Sequence, residues 1–234
     1  MKINIWSDIR CPFCYIGKRK FEAALDKFPH KDEVEVIWRS FQLDPNLKTR
    51  TDISTYDYFA EIKGKSKEEA IQMHQYVNEV AGQVGLRFDF DKAIVANSFN
   101  AHRLIQLART KGLGDDAEEL LFKAHFTEGK NIDDNTVLME IGLALGLGEA
   151  VVKEVLETDA FAKEVREDEL RARTIGVRGV PFFVFNDKMA VSGAQSPDIF
   201  LDTLNKAWAQ YQEEKAKGLT VVHGEACTTE GNCS

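Results

Sequence analysis

Two cysteines three residues apart, Cys11-Pro12-Phe13-Cys14, constrain this chain more than any other stretch. Before them, Ile3-Asn4-Ile5-Trp6-Ser7-Asp8 alternates apolar and polar, as a short strand and its exit loop do. After them, Tyr15, Ile16, Phe21, Ala24 and Leu25 recur at helical spacing. The pair therefore sits where a strand ends and a helix begins, with Pro12 suited to the first helical turn, where a missing N–H costs nothing. A helix N-terminus offers unpaired N–H groups and partial positive charge, which favour a thiolate. The sequence thus predicts Cys11 as the exposed nucleophile and Cys14, one turn further in, as the thiol that resolves a mixed disulfide on Cys11. Half of a zinc site, or two inert buried cysteines, are the competing readings.

The chain has 234 residues, 44% hydrophobic and 29% charged, enough for one large domain or a small one carrying an insertion. Its formal charge of -8 argues against nucleic acid as the main partner, because phosphate binding requires a basic face. No apolar run approaches the length of a membrane span, and Met1-Lys2-Ile3-Asn4 does not read as a signal peptide, so a cytoplasmic setting is expected. A dithiol there is more readily catalytic than a structural crosslink.

A second strand is expected over residues 34–41, and strand, helix, strand within forty residues makes a βαβ unit. From Thr55 to Thr174 no strand is predicted. Helices are expected over 55–60, from a cap at Ser54, and after Ser66, where Ser66-Lys67-Glu68-Glu69 reads as a capping box. Further helices are expected over 99–110, 115–126, 133–145, 149–157 and 161–175, punctuated by Gly112, Gly129, Gly146 and Gly176. Thereafter Phe182-Phe183-Val184-Phe185, the turn Asn186-Asp187, and Met189-Ala190-Val191-Ser192 read as a hairpin. Ser196-Pro197 opens a long closing helix, stopped at Gly218.

This order resembles thioredoxin-fold proteins: an α/β unit whose Cys-x-x-Cys helix is followed by a second strand, a Val-Pro, a hairpin and a helix. The large helical insertion makes it similar to the DsbA family. Trp6-Ser7-Asp8-Ile9-Arg10-Cys11-Pro12-Phe13-Cys14-Tyr15, Asn97-Ser98-Phe99-Asn100-Ala101-His102-Arg103-Leu104, Gly129-Lys130-Asn131-Ile132 and Ile175-Gly176-Val177-Arg178-Gly179-Val180-Pro181 resemble its FrnE-like cytoplasmic branch. The implied organisation is a discontinuous thioredoxin-fold domain (1–46 and 174–218), a helical insertion (47–173) and a tail (219–234). The implied activity is protein thiol–disulfide oxidoreductase or isomerase.

The resemblance also implies a cis bond between Val180 and Pro181, set against the nucleophilic sulfur, with Val180 offering its backbone to a peptide substrate. The residues alone would give an ordinary trans bond, since only about 5–6% of X-Pro bonds in folded proteins are cis. Phe13 is a further substrate-contact candidate; lacking the charge and hydrogen bond of a histidine at that position, it predicts a milder thiol and a lower reduction potential, favouring reduction or isomerisation. Asp8 is a loop cap or a proton carrier for Cys14, and His102 shapes the site or satisfies a polar helix face. In the tail, Cys227 and Cys233 form either a second redox pair, a local disulfide or idle thiols; a zinc site of all four cysteines is the further alternative. Partners are protein or peptide thiols and disulfides, with glutathione as a conceivable co-substrate and no prosthetic group or metal required. The same architecture resembles glutathione-dependent 2-hydroxychromene-2-carboxylate isomerases and kappa-class glutathione transferases, which usually lack the intact pair. A holdase with an apolar groove near Phe13, Tyr15 and the insertion is the non-enzymatic alternative.

Overall fold

The computed structural model describes residues 1–217. Strand β1 (Lys2–Ser7) leads into helix α1 (Pro12–Leu25), and β2 (Glu35–Ser40) returns parallel to β1, with Ile5 opposite Trp38. Helices α2 (Thr55–Lys63), α3 (Lys67–Gly82), α4 (Phe99–Arg109), α5 (Gly114–Phe122), α6 (Asn135–Ala144), α7 (Glu149–Glu157) and α8 (Ala162–Thr174) follow. Strands β3 (Phe182–Phe185) and β4 (Met189–Ser192) then complete the sheet, and α9 (Pro197–Lys217) closes the described chain. The sheet order is β2-β1-β3-β4, with β3 antiparallel to both β1 and β4.

The strand period of two sorts the core. Ile3, Ile5, Phe183 and Phe185 face α1 and α9, where they meet Phe21, Phe200 and Leu204. Trp6 and Val184 point the other way, onto Ala172 of α8 and Val177. The sheet is therefore covered on both faces, which is why β3, Phe182-Phe183-Val184-Phe185, is apolar throughout. A second, larger core lies among the helices and includes Leu104, Leu121, Phe122 and Leu138. Helix α1 belongs to both: Phe21 and Ala24 serve the sheet side, while Cys14, Tyr15 and Ile16 serve the helical side.

Local signals placed most of these elements. Ser54 accepts from Asp57 N–H, and the capping box of Ser66 and Glu69 is formed on both sides. Asn186 and Asp187 both adopt positive φ, as a two-residue hairpin turn of the I′ kind requires. Three boundaries differ from expectation. The sequence reads Phe28-Pro29-His30 as the stop of the first helix, but α1 ends at Leu25 and Phe28 folds back into the sheet-side core. The helix expected over 115–126 widens after Phe122 into a π-type turn, Lys123–Thr127, which turns His125 and Phe126 inward. Helix α6 starts two residues after Asp133, capped by the side chain of Asp134.

Polar ties hold the helices against the sheet. Asp168 of α8 accepts from Arg39, Arg109, Gln106 Nε2 and the Ser40 N–H. Lys18 of α1, buried, lies 3.0 Å from Asp115 and 3.3 Å from Glu119 of α5. Trp38 Nε1 donates to the same Asp115 at 2.8 Å.

Candidate active site

Cys11 is the N-cap of α1, in extended conformation, and Pro12 follows at the first helical position. The Cys11 N–H donates to the Asp8 carbonyl and the Cys14 N–H to the Cys11 carbonyl, both at 2.9 Å, so the turn carrying the pair is fixed by its own backbone. No side chain caps the helix mouth, and its first turn holds no acidic residue. The dipole at the mouth therefore acts on Cys11 without a competing anion in that turn.

Cys14 is fully buried. Burial raises its thiol well above the ordinary range, and the neighbouring Cys11 adds to the rise; the Asp8 backbone and Ser7 side chain oppose it. Cys11 is less open than the sequence reading expects: 6% of its surface is exposed. The cover comes from 169 residues away. The Val180–Pro181 peptide bond is cis, and the Val180 carbonyl lies 3.4 Å from Cys11 Sγ, so the loop before β3 sits on the sulfur. Pro181 also lies close to Gly17 of α1, where a Cβ would come within 2.9 Å of Pro181 Cγ.

Beneath the pair is a buried polar pocket. Asp8 is fully buried and accepts from the Arg10 N–H at 3.2 Å and the Leu43 N–H at 2.7 Å. Its side chain thus ties the loop after β1 to the segment after β2, and it does not cap α1. His102 Nε2 stands 3.5 Å from Asp8 Oδ1, an ion-pair separation longer than a good hydrogen bond. Burial alone would push the Asp8 carboxyl up, yet the nearby His102, with the Arg10 charge and the Leu43 N–H, holds it below the usual range. His102 moves correspondingly: burial lowers it, and Asp8, Glu118 and Glu169 more than reverse that.

Three residues of this environment escape the sequence reading. Ser7 ends β1 and donates from Oγ to Glu118 Oε2 at 3.4 Å. Glu118 is buried, its Oε1 has no partner among the described residues, and burial pushes its carboxyl up to about 8 against the charges of His102 and Lys18. His125, from the π-type turn, is buried with Nδ1 unpartnered among the described residues, and burial, aided by the Arg10 charge, lowers it to about 4. A signal for Glu118 did exist: Gly114, Ala117, Glu118, Leu121 and Phe122 share the buried stripe of α5. A carboxylate on that stripe needs an explanation.

In front of Cys11, Pro12 and Phe13 open an apolar groove of about 570 Å³, continued by Leu43, Tyr58, Ile62 and Met73. Tyr15, expected at this groove, instead stacks on Phe88 and Phe122 in the helical core and donates to Glu119. A second, polar cleft of about 630 Å³, lined by residues that include Gln42, Asn97, Asn100 and Arg166, holds neither cysteine. Asn97 there binds the Leu47 carbonyl and accepts from Gln42 and the Phe99 N–H, so it ties the loop after β2 to α4. Among the described residues no cluster of His, Cys, Asp and Glu is arranged to hold a metal ion. Cys227 and Cys233 lie outside the described residues, and with them the zinc and second-pair readings.

A parallel βαβ start, a dithiol at the helix mouth and a cis proline against the first sulfur define a thioredoxin-fold protein with a helical insertion. The family model of the DSBA-like thioredoxin domain matches residues 2–205, and the chain belongs to that family of oxidoreductases. The chain is similar to a probable DsbA oxidoreductase from Streptomyces coelicolor at 35% identity, with a TM-score of 0.86 over 100% of this chain and 98% of the other. Protein YwbO of Bacillus subtilis is 27% identical over 91% of this chain and 98% of its own length. The cytosolic disulfide reductase DsbM from Pseudomonas aeruginosa shares the fold, with a TM-score of 0.64 at 18% identity over 90% of this chain and all of the other.

Proposed function

We propose that this chain exchanges disulfides with protein or peptide substrates through Cys11 and Cys14. The observation that carries the reading is the asymmetry of the pair: Cys11 at the helix mouth, in contact with the Val180 carbonyl, and Cys14 sealed one turn behind. Cys11 attacks the substrate disulfide, and Cys14 then displaces the substrate from Cys11. No prosthetic group enters this chemistry. An extended substrate segment lies along Val180 and Pro181, and its apolar side chains occupy the groove at Phe13.

Phe13 brings neither charge nor a hydrogen bond to Cys11. We therefore place the reduction potential well below the about −120 mV of DsbA, in the range of reductases and isomerases. DsbM is described as a cytosolic reductase and has been seen with GSH, which favours a cytoplasmic setting and glutathione as the recharging thiol here. Among the described residues no helix is long and apolar enough to cross a membrane.

The test is trapping. Cys14→Ser should accumulate mixed disulfides between Cys11 and substrate proteins in mass spectra, and Cys11→Ser should show none and no insulin reduction. Insulin reduction at the wild-type rate by Cys11→Ser would remove the proposal. Suppression of aggregation that survives loss of both thiols would instead support the holdase reading, for which the groove beside Phe13 is the favouring feature.

A further inference from the structure

We propose that Glu118, contributed by the helical insertion, holds the proton that Cys14 must lose and regain, with the Ser7 hydroxyl as the bridge between them. This rests on the disulfide-exchange reading above. Resolution of a mixed disulfide needs the Cys14 thiolate, yet Cys14 has no exposed surface from which water could remove the proton. The proton must therefore pass to a neighbouring group. Among the described residues Ser7 is placed to serve both ends: its side chain opposes the rise of the Cys14 thiol, and its hydroxyl donates to Glu118 Oε2 at 3.4 Å. A hydroxyl can donate and accept at once, and its hydrogen rotates to suit.

Asp8 is the obvious competitor and is the poorer acceptor. Its carboxylate already takes two backbone N–H bonds, one on each oxygen, and faces His102, so protonating it would compete with one of those bonds and remove its charge from His102. Glu118 is the opposite case. Among the described residues it accepts a side-chain hydrogen bond from Ser7 alone, and Oε1, without a partner there, can carry a proton. The charged groups that bear on it are Lys18 from α1, His102 from α4 and Asp115 from its own helix. Their balance leaves the carboxyl titrating near 8, so both of its states are accessible close to neutral pH.

In the forward step the Cys14 S–H proton goes to Ser7 Oγ while the Ser7 hydroxyl proton goes to Glu118. The Cys14 sulfur attacks Cys11 Sγ, the Cys11–Cys14 bond forms, and the Cys11–substrate bond breaks. The substrate sulfur leaves as a thiolate and is protonated by water. The dithiol loses two electrons and the substrate disulfide gains them. In reverse, the protonated Glu118 returns its proton through Ser7 as Cys14 is released. The insertion thus takes part in the redox chemistry as well as in substrate contact. Glu118 is a positioning residue in this scheme, because it acts through Ser7.

The experiment uses 5,5′-dithiobis(2-nitrobenzoate). Its first thionitrobenzoate release marks attack by Cys11, and the second marks resolution by Cys14. In the wild-type protein the second phase should accelerate with an inflection near pH 8. Glu118→Gln should lose that inflection and resolve about 100-fold more slowly at pH 8.5, while the first phase keeps its rate. Ser7→Ala leaves the carboxyl in place but removes the bridge, and should show the same loss; it carries the test if Glu118→Gln does not fold. A ¹³C titration of the Glu118 carboxyl should differ between dithiol and disulfide forms. An unchanged pH profile in both variants overturns the proposal, as does an inflection that persists in them and vanishes in Asp8→Asn. Absence of any second release from the wild-type protein would instead remove the disulfide-exchange reading itself.

Discussion

Replacing Gly17 by alanine tests whether the loop over Cys11 is held by close packing against α1. The new Cβ would lie 2.9 Å from Pro181 Cγ and 3.5 Å from both Ala194 Cβ and Phe183 Cζ. Real Cβ atoms do not approach so closely, and the proline ring is buried and stiff, so Pro181 or α1 must shift by a few tenths of an ångström. Overpacking of this sort costs about 1–3 kcal/mol. Removing a glycine from a helix returns up to about 1 kcal/mol. The net expectation for Gly17→Ala is a loss of roughly 0–2 kcal/mol. Gly82, exposed at the end of α3, isolates the second effect: a Cβ there meets nothing within 4 Å, so Gly82→Ala should be neutral or stabilising. The contrast between the two variants is the packing term alone, about 1–3 kcal/mol, or roughly 2–12 °C in Tm for a chain of this size. Urea unfolding and calorimetry of both variants measure it. Because the displaced ring carries Val180 with it, iodoacetamide should also modify Cys11 at a changed rate in Gly17→Ala and at the native rate in Gly82→Ala. If Gly17→Ala is as stable as Gly82→Ala and its Cys11 reacts at the native rate, the close approach of α1 to Pro181 is not what seats the loop.

Three further outcomes follow from burial and charge. Iodoacetamide near neutral pH should label Cys11 of the native dithiol protein and spare Cys14, whose thiol is both sealed and raised; peptide mass spectrometry after brief exposure decides it. Asp168→Ala should cost about 3 kcal/mol or more in urea unfolding, because Arg39 and Arg109 lose their shared carboxylate in a largely buried setting, and Asp168→Asn should recover part of the loss. Stability should also fall as pH rises from about 6.5 to about 8, above the range in which His125, lowered to about 4 by burial, works in the opposite direction. Glu118 binds its proton more tightly folded than unfolded, so its contribution is full below the unfolded carboxylate pKa and declines by up to about 1.4 kcal/mol per pH unit until the folded value near 8 is passed. His102, raised by Asp8, adds in the same direction above its unfolded value. Urea midpoints at pH 6.5, 7.5 and 8.5 should show the decline in the wild-type protein and a shallower one in Glu118→Gln.

What the amino-acid order settles by itself is local. Pro12 after Cys11, the capping box at Ser66 and the Asn186-Asp187 turn each depend on residues a few positions apart, and all lie where their spacing puts them. The change of apolar period near Gly176 marks the return from helices to sheet, because side-chain direction along a strand or helix is a short-range property. The family likeness supplied the cis bond at Pro181, which no local rule would have chosen. The environment of the sulfurs is a different matter. Glu118 reaches Ser7 across 111 positions and Val180 reaches Cys11 across 169, while His102 comes to Asp8 from a helix of the insertion. Only packing of the helical layer onto the sheet removes water from Cys14 and Glu118, covers Cys11 to 6% exposure and turns Tyr15 away from the groove. Desolvation depends on every atom around a group, whichever part of the chain brings it there. The dithiol and its helix are therefore written in consecutive letters, while the acidity of the groups around it is decided by the assembled fold.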